Sequence, residues 1–151
     1  VTTRLFGTFL TWMQEKTSAA FVVATANDIT KLPPELLRKG RFDEIFFVGL
    51  PTSEERRKIF EIHIAKRRKQ DMAKIRLSDL VAKTEGYSGA DIEGVVKEAV
   101  ECAFADGKDA VTTEDILAAI KNTNSLSVIM KEPLEKMKKE YEQRKLKNAS
   151  R

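Results

Sequence analysis

Apolar residues recur at helical spacing at the start of this chain and throughout its second half, and between those stretches they run together. Leu5, Phe6, Phe9, Leu10, Trp12 and Met13 repeat every three to four positions, with Arg4, Thr8, Thr11 and Glu15 opposite, which predicts an amphipathic helix entered at Thr2 or Thr3. After the polar turn Lys16-Thr17-Ser18, Ala20-Phe21-Val22-Val23-Ala24 is a continuous apolar run, the pattern of a parallel strand buried on both faces. Pro33 and Pro34 interrupt the next stretch, Glu35-Leu36-Leu37-Arg38 makes one helical turn, and Gly40 stops it. Ile45-Phe46-Phe47-Val48 then reads as a second buried strand.

Past Gly49-Leu50-Pro51-Thr52 everything is helical. Ser53, followed by Glu54 and Glu55, opens a helix to about Gln70. Leu77, Leu80 and Val81 mark a short helix. Ser88 or Gly89 starts a longer one through Ile92, Val95, Val96, Ala99, Val100 and Phe104, and Thr112 caps another through Ile116, Leu117 and Ile120. These four helices predict a small bundle. From Pro133, Leu134, Met137, Tyr141 and Leu146 sit among many charges and predict a partly docked terminal helix. The organisation expected is an α/β portion over 1–51, a helical portion over 52–123 and a basic tail over 124–151.

Composition narrows the partners. A third of the residues are charged, yet the formal net charge is only +4, and the eight Lys/Arg against four Glu between Lys131 and Arg151 account for all of it. The body is near neutral, so no bulk field calls for nucleic acid or an anionic membrane. No apolar run approaches the ~20 residues needed to cross a bilayer. Cys102 is the single cysteine, which excludes an internal disulfide; it is expected as a buried free thiol in a reducing, cytoplasmic setting. One His, one Cys and no His-Glu-x-x-His predict no metal site.

Three loops carry the chemistry, and together they resemble the end of an AAA+ ATPase module of the AAA branch. Ala24-Thr25-Ala26-Asn27 resembles its sensor-1 motif, Leu36-Leu37-Arg38-Lys39-Gly40-Arg41-Phe42-Asp43 its arginine-finger motif, and Gly86-Tyr87-Ser88-Gly89-Ala90-Asp91-Ile92 the start of its sensor-2 helix. Phe9-Leu10-Thr11-Trp12-Met13-Gln14-Glu15-Lys16-Thr17 and Phe42 to Val48 look most like the bacterial and chloroplast-encoded ycf class of AAA proteins. The resemblance implies a P-loop sheet followed by a four-helix lid.

For the residues it implies roles that each stand beside a plainer reading. Asn27 would hold the attacking water or touch the γ-phosphate as a neutral amide; taken by itself, Asn27-Asp28 reads as the start of a turn. Arg38 and Arg41 would reach a neighbouring subunit's phosphates, and Arg41 with Asp43 or Glu44 would equally make a surface ion pair. Lys39 stands where the family often has proline. His63, alone on the apolar stripe of its helix, reads first as a packed core residue; the resemblance places it beside the adenosine. Gly89 and Ala90 open a helix with free amides and little bulk, which suits a flat base as well as an ordinary cap. No arginine between Ala90 and Val100 takes a sensor-2 role.

Gly-x-x-x-x-Gly-Lys-Ser/Thr is absent from the sequence, as is an apolar strand ending in paired acids. With Val1 as its first residue, the chain reads as the C-terminal portion of a longer protein, with both elements upstream. The expected parent uses ATP and Mg2+, works in a homo-oligomeric ring, six subunits being usual, and couples hydrolysis to remodelling a protein substrate. The chain by itself is expected to bind no ATP tightly and to hydrolyse none. A competing reading is a non-catalytic helical module that holds nucleic acid through Arg56-Arg57-Lys58 and Lys66-Arg67-Arg68-Lys69, and another is an adaptor that has lost hydrolysis.

Overall fold

The computed structural model describes residues 2–15, 17, 19–38, 40, 42–123, 131–144 and 147–149. Its first element, α1 (Thr2–Glu15), is the expected amphipathic helix, with Phe9 and Trp12 stacked at 5.9 Å between ring centroids.

The expected sheet does not form as the apolar runs suggest. Ala20 to Ala24 carries no strand, and Phe21 and Val23 are 95% and 77% exposed. A strand covered on both faces needs neighbouring strands and helices above and below, and the one ladder among the described residues, at 46–47 and 147–148, does not include this segment. The second run shortens to β1 (Phe46–Phe47), with Phe46 and Val48 exposed rather than buried. Its partner is β2 (Lys147–Asn148), from the tail, in parallel register Phe46 to Lys147 and Phe47 to Asn148; the Ala149 amide adds a hydrogen bond to the Phe47 carbonyl at 2.9 Å. Parallel partners need a long connection, and the whole helical half of the chain provides it. Between the two runs, one-turn 3-10 helices form at Ile29–Lys31 and Pro34–Leu37, and Leu36 turns inward and is buried. Gly40 takes a φ of 93°, which closes this turn and suits glycine.

The bundle follows the sequence closely. It consists of α2 (Ser53–Arg68), α3 (Leu77–Ala82), α4 (Gly89–Ala105) and α5 (Thr113–Asn122). Three of them start with reciprocal capping boxes: Thr52 with Glu55, Ser88 with Asp91, Thr112 with Asp115. The cap of α2 is thus Thr52, one residue before the Ser53 expected from sequence. Each box satisfies two amides that helix geometry leaves without partners, an effect worth about 1 kcal/mol per cap.

The core gathers Phe60 and Ile64 of α2, Leu80 of α3, Ile92, Val95, Val96, Ala99 and Ala103 of α4, and Ile116, Ala119 and Ile120 of α5. Tyr87, also buried, places its hydroxyl 3.1 Å from the Ile120 carbonyl and 2.8 Å from that of Thr123, pinning the entry of α4 to the exit of α5. Two expectations on α4 are corrected. Phe104 is 82% exposed, because at 100° per residue it lies about 120° around the helix from Ile92. Cys102 is exposed, not buried, for the same angular reason; Ala103, about 20° from Ile92, takes the inward position. The tail forms α6 (Lys131–Arg144).

Candidate functional site

The strongest polar constellation joins α2 to α4. Ile59, His63 and Arg67 occupy successive turns of α2, and Gly89 and Glu93 successive turns of α4. A Cβ built on Gly89 would sit 3.8 Å from Ile59 Cδ1, so the two helices meet at the start of α4. One turn on, Arg67 Nη2 donates to Glu93 Oε1 at 2.9 Å, and its Nη1 lies 3.3 Å from His63 Nδ1. His63 and Arg67 are mostly buried, with side chains 19% and 21% exposed. The Arg67 guanidinium first, then the field of His63, holds the Glu93 carboxyl below the usual glutamate range.

Above this cluster the capping box decides which amides remain. The Ser88 amide donates to Asp91 Oδ2 at 2.8 Å, and the Asp91 amide to Ser88 Oγ at 3.2 Å. The Ile92 amide is taken by the Ser88 carbonyl. That leaves the amides of Gly89 and Ala90, the first two positions of α4, without an acceptor among the described residues. Two such donors and a residue with no side chain therefore open α4 one turn before Glu93, the carboxylate that faces the mostly buried imidazole.

The chain's connection into this corner is held by Arg56. Its guanidinium is buried and reaches backbone carbonyls, Pro51 at 3.1 Å and Val81 at 3.3 Å, while Nε has no partner among the described residues. Arg56 thereby ties the residue preceding the α2 cap to the end of α3.

A family model described as the ATPase family associated with various cellular activities (AAA) matches residues 1–50, and a model of the AAA+ lid domain matches residues 74–118. The chain belongs to the AAA+ ATPase family. It is similar to the AAA domain-containing protein ycf46 of Guillardia theta, 46% identical over 136 residues, which is 90% of this chain and 27% of that protein. The proteasome-activating nucleotidase of Saccharolobus solfataricus is 40% identical over 121 residues, 80% of this chain and 29% of that protein. The ATP-dependent zinc metalloprotease FtsH 2 of Sphaerobacter thermophilus is 38% identical over 109 residues, 72% of this chain and 16% of that protein. The chain thus spans about a quarter of the length of the ycf46 proteins it matches.

Of the residues singled out from sequence, His63, Gly89 and Ala90 fall together in the α2–α4 corner of this AAA+ chain. Asn27 stands exposed at a bend, next to Asp28. Asp28 accepts from the Thr30 hydroxyl at 2.5 Å and the Thr30 amide at 3.0 Å, which with Lys31 lowers its pKa. Arg38 is exposed just after the Pro34–Leu37 turn, and its side chain makes no ion pair with a described residue. Arg41 lies outside the described residues.

Sequence reading put Arg67 in a basic run and missed its pairing with Glu93. Arg67 is legible as a residue one turn after His63; its partner across the bundle is not, because nothing local links positions 67 and 93.

The two amides that have no acceptor among the described residues, on a residue with no side chain and its neighbour, have the chemistry to meet an accepting nitrogen of the base of ATP. For Mg2+, no group of three or more His, Cys, Asp or Glu stands together among the described residues. No helix among the described residues is long and apolar enough to cross a membrane.

Proposed function

We propose that this chain carries the lid and the trans-acting loops of an AAA+ ATPase: a helical lid, 52–123, that closes on the adenosine of ATP, and an α/β portion, 1–51, whose loops act on the phosphates. The basic segment 124–151 follows the lid. The observation that carries the reading is the α2–α4 corner, where the Ser88–Asp91 cap leaves the Gly89 and Ala90 amides without an acceptor among the described residues, one turn of α4 before Glu93, which the mostly buried His63 faces at 3.6 Å.

In this reading Gly89 and Ala90 offer main-chain donors to the base, and His63 offers its imidazole. Asn27 orients the attacking water or meets the γ-phosphate, and Arg38 and Arg41 extend to the nucleotide of the next subunit in a ring, six being the expected number. A guanidinium fork there stabilises charge on the transferring phosphoryl group, worth about 10³ to 10⁵ in rate. Mg2+ would neutralise the polyphosphate and is held by residues other than these. Hydrolysis in that ring would drive remodelling of a protein substrate, and this chain alone would neither bind ATP tightly nor turn it over.

Exposure of Arg38, free of ion pairs to described residues, supports a role toward another subunit over a structural one. The nucleic-acid reading loses support from the same structure. Arg56 is buried, Arg57 pairs with Glu61, Arg67 with Glu93 and Arg68 with Asp71, so the two basic runs present few free cations for phosphate.

Two substitutions test the proposal in the protein that holds the complete nucleotide site. Arg38→Ala should lower ATP turnover by about 10³-fold while leaving ATP affinity within a few-fold. Gly89→Ala should raise the Kd for ATP about tenfold, or ~1.4 kcal/mol. Its methyl group meets only an ordinary contact with Ile59, so folding stability should stay within ~0.5 kcal/mol. Unchanged turnover in the first variant and unchanged affinity in the second would refute the proposal.

A further inference from the structure

The imidazole of His63 has an unusual neighbour. Its Nδ1 lies 3.3 Å from Arg67 Nη1, within hydrogen-bond reach, and 3.6 Å from Glu93 Oε1, which is beyond it. A guanidinium carries only donors and stays protonated in proteins. The hydrogen bond therefore exists only if Nδ1 offers its lone pair, and the neutral ring then keeps its proton on Nε2. Glu93 would favour the opposite arrangement, with a proton on Nδ1 pointing at its carboxylate. Instead the carboxylate holds Arg67 at 2.9 Å and so aims the other end of the guanidinium at the histidine.

From this geometry we infer that Arg67 is a positioning residue that fixes His63 as the Nε2–H tautomer, so that the lid presents a hydrogen-bond donor to an accepting atom of the nucleotide's base or ribose. The inference deepens the reading of His63 as a nucleotide contact and rests on it for the identity of the acceptor. A ring nitrogen of adenine or a ribose oxygen satisfies such a donor; the exocyclic amino group of adenine, itself a donor, does not. The chain of contacts also gives α4 a hold on the histidine, because Glu93 stands one turn beyond Gly89 on the same helix.

His63 is the one histidine of the sequence, so the ring nitrogens of the 151-residue chain give a single set of NMR signals. Long-range proton–nitrogen correlation at a pH where the ring is neutral reads the tautomer directly. The wild-type chain should show Nε2–H. Arg67→Met keeps an apolar stem packed on α2 and removes every donor; with Glu93 released, the Nδ1–H form should rise at the expense of Nε2–H. Arg67→Met with Glu93→Gln removes the competing carboxylate and should return the population toward Nε2–H. Circular dichroism on the same samples selects the folded variants, and Glu93→Gln alone, which removes the competing carboxylate and leaves the Arg67 donor, should keep the Nε2–H form. A wild-type ring protonated on Nδ1, or one tautomer population shared by wild type and Arg67→Met, overturns the inference.

The nucleotide arm is measured separately in the protein with the complete site. Arg67→Met should raise KM for ATP about fivefold to tenfold with kcat little changed, and should add nothing in a His63→Ala background. A tautomer shift with no change in KM would leave the action of Arg67 on His63 standing and would remove the nucleotide as its purpose.

Discussion

Removal of the Asp71 carboxylate should cost the bundle about 3 kcal/mol, and the cost should shrink in acid. Asp71 lies in the 3-10 turn after α2, and its Oδ2 accepts from Arg68 Nε at 2.7 Å and from the Val111 amide at 3.0 Å. Arg68 in turn donates to the Asp109 carbonyl, so one buried carboxylate joins the end of α2 to the loop between α4 and α5. In Asp71→Ala the Val111 amide, in a residue only 5% exposed, loses its acceptor, which costs about 1 to 3 kcal/mol. Arg68 is partly open to water and regains hydration, so its lost ion pair contributes about 1 kcal/mol rather than the full value of a buried pair. Asp71→Asn keeps an acceptor and should lose about half as much. The Val111 amide, followed by Arg68, holds the Asp71 pKa below its ordinary value. A depressed native pKa means that the unfolded chain takes up the proton first. The stabilisation is therefore complete above the ordinary aspartate range, near pH 4, and is lost as pH falls through the lower native value. Urea titrations of wild type and Asp71→Ala at pH 7 and at about pH 3 measure the difference, in which the other carboxylates cancel. Equal midpoints at pH 7, or a gap that widens on acidification, would refute the reasoning.

Two further outcomes test the fold around the site. Tyr87→Phe removes the hydroxyl that meets the Ile120 and Thr123 carbonyls, and should lower stability by about 1 kcal/mol with the urea dependence unchanged; an unaltered midpoint would show that this hydroxyl does not pin α5. Cys102, exposed on α4, should react with one equivalent of a water-soluble disulfide reagent in the native state as fast as a free thiol. Reaction only on unfolding would return the thiol to the interior.

The helical half of the chain was legible because its signals are local. Ser88 and Thr112 each precede an acid by three residues and mark where α4 and α5 begin; Thr52 has the same spacing to Glu55, one residue before the Ser53 expected for α2. Where the reading of α4 went wrong, it grouped Cys102 and Phe104 with the core by proximity in sequence, although their angular positions place them outside. The links that shape the corner are not local. Arg56 to Val81 and Arg67 to Glu93 cross between helices, and their residues look in sequence like members of ordinary charge runs.

The two halves differ for one physical reason. Four amphipathic helices can bury their apolar faces on each other, so the bundle closes a core from residues within this chain, with Phe60, Leu80, Ile92, Val95 and Ile116 fully buried. A strand built on a run such as Ala20 to Ala24, apolar on both faces, needs other strands beside it and helices above and below. Its exposed Phe21 and Val23 follow from that requirement. The placement of His63, Gly89 and Ala90 thus rests on packing that the chain itself supplies, from the α2–α4 contact at Ile59 and the Arg67–Glu93 pair.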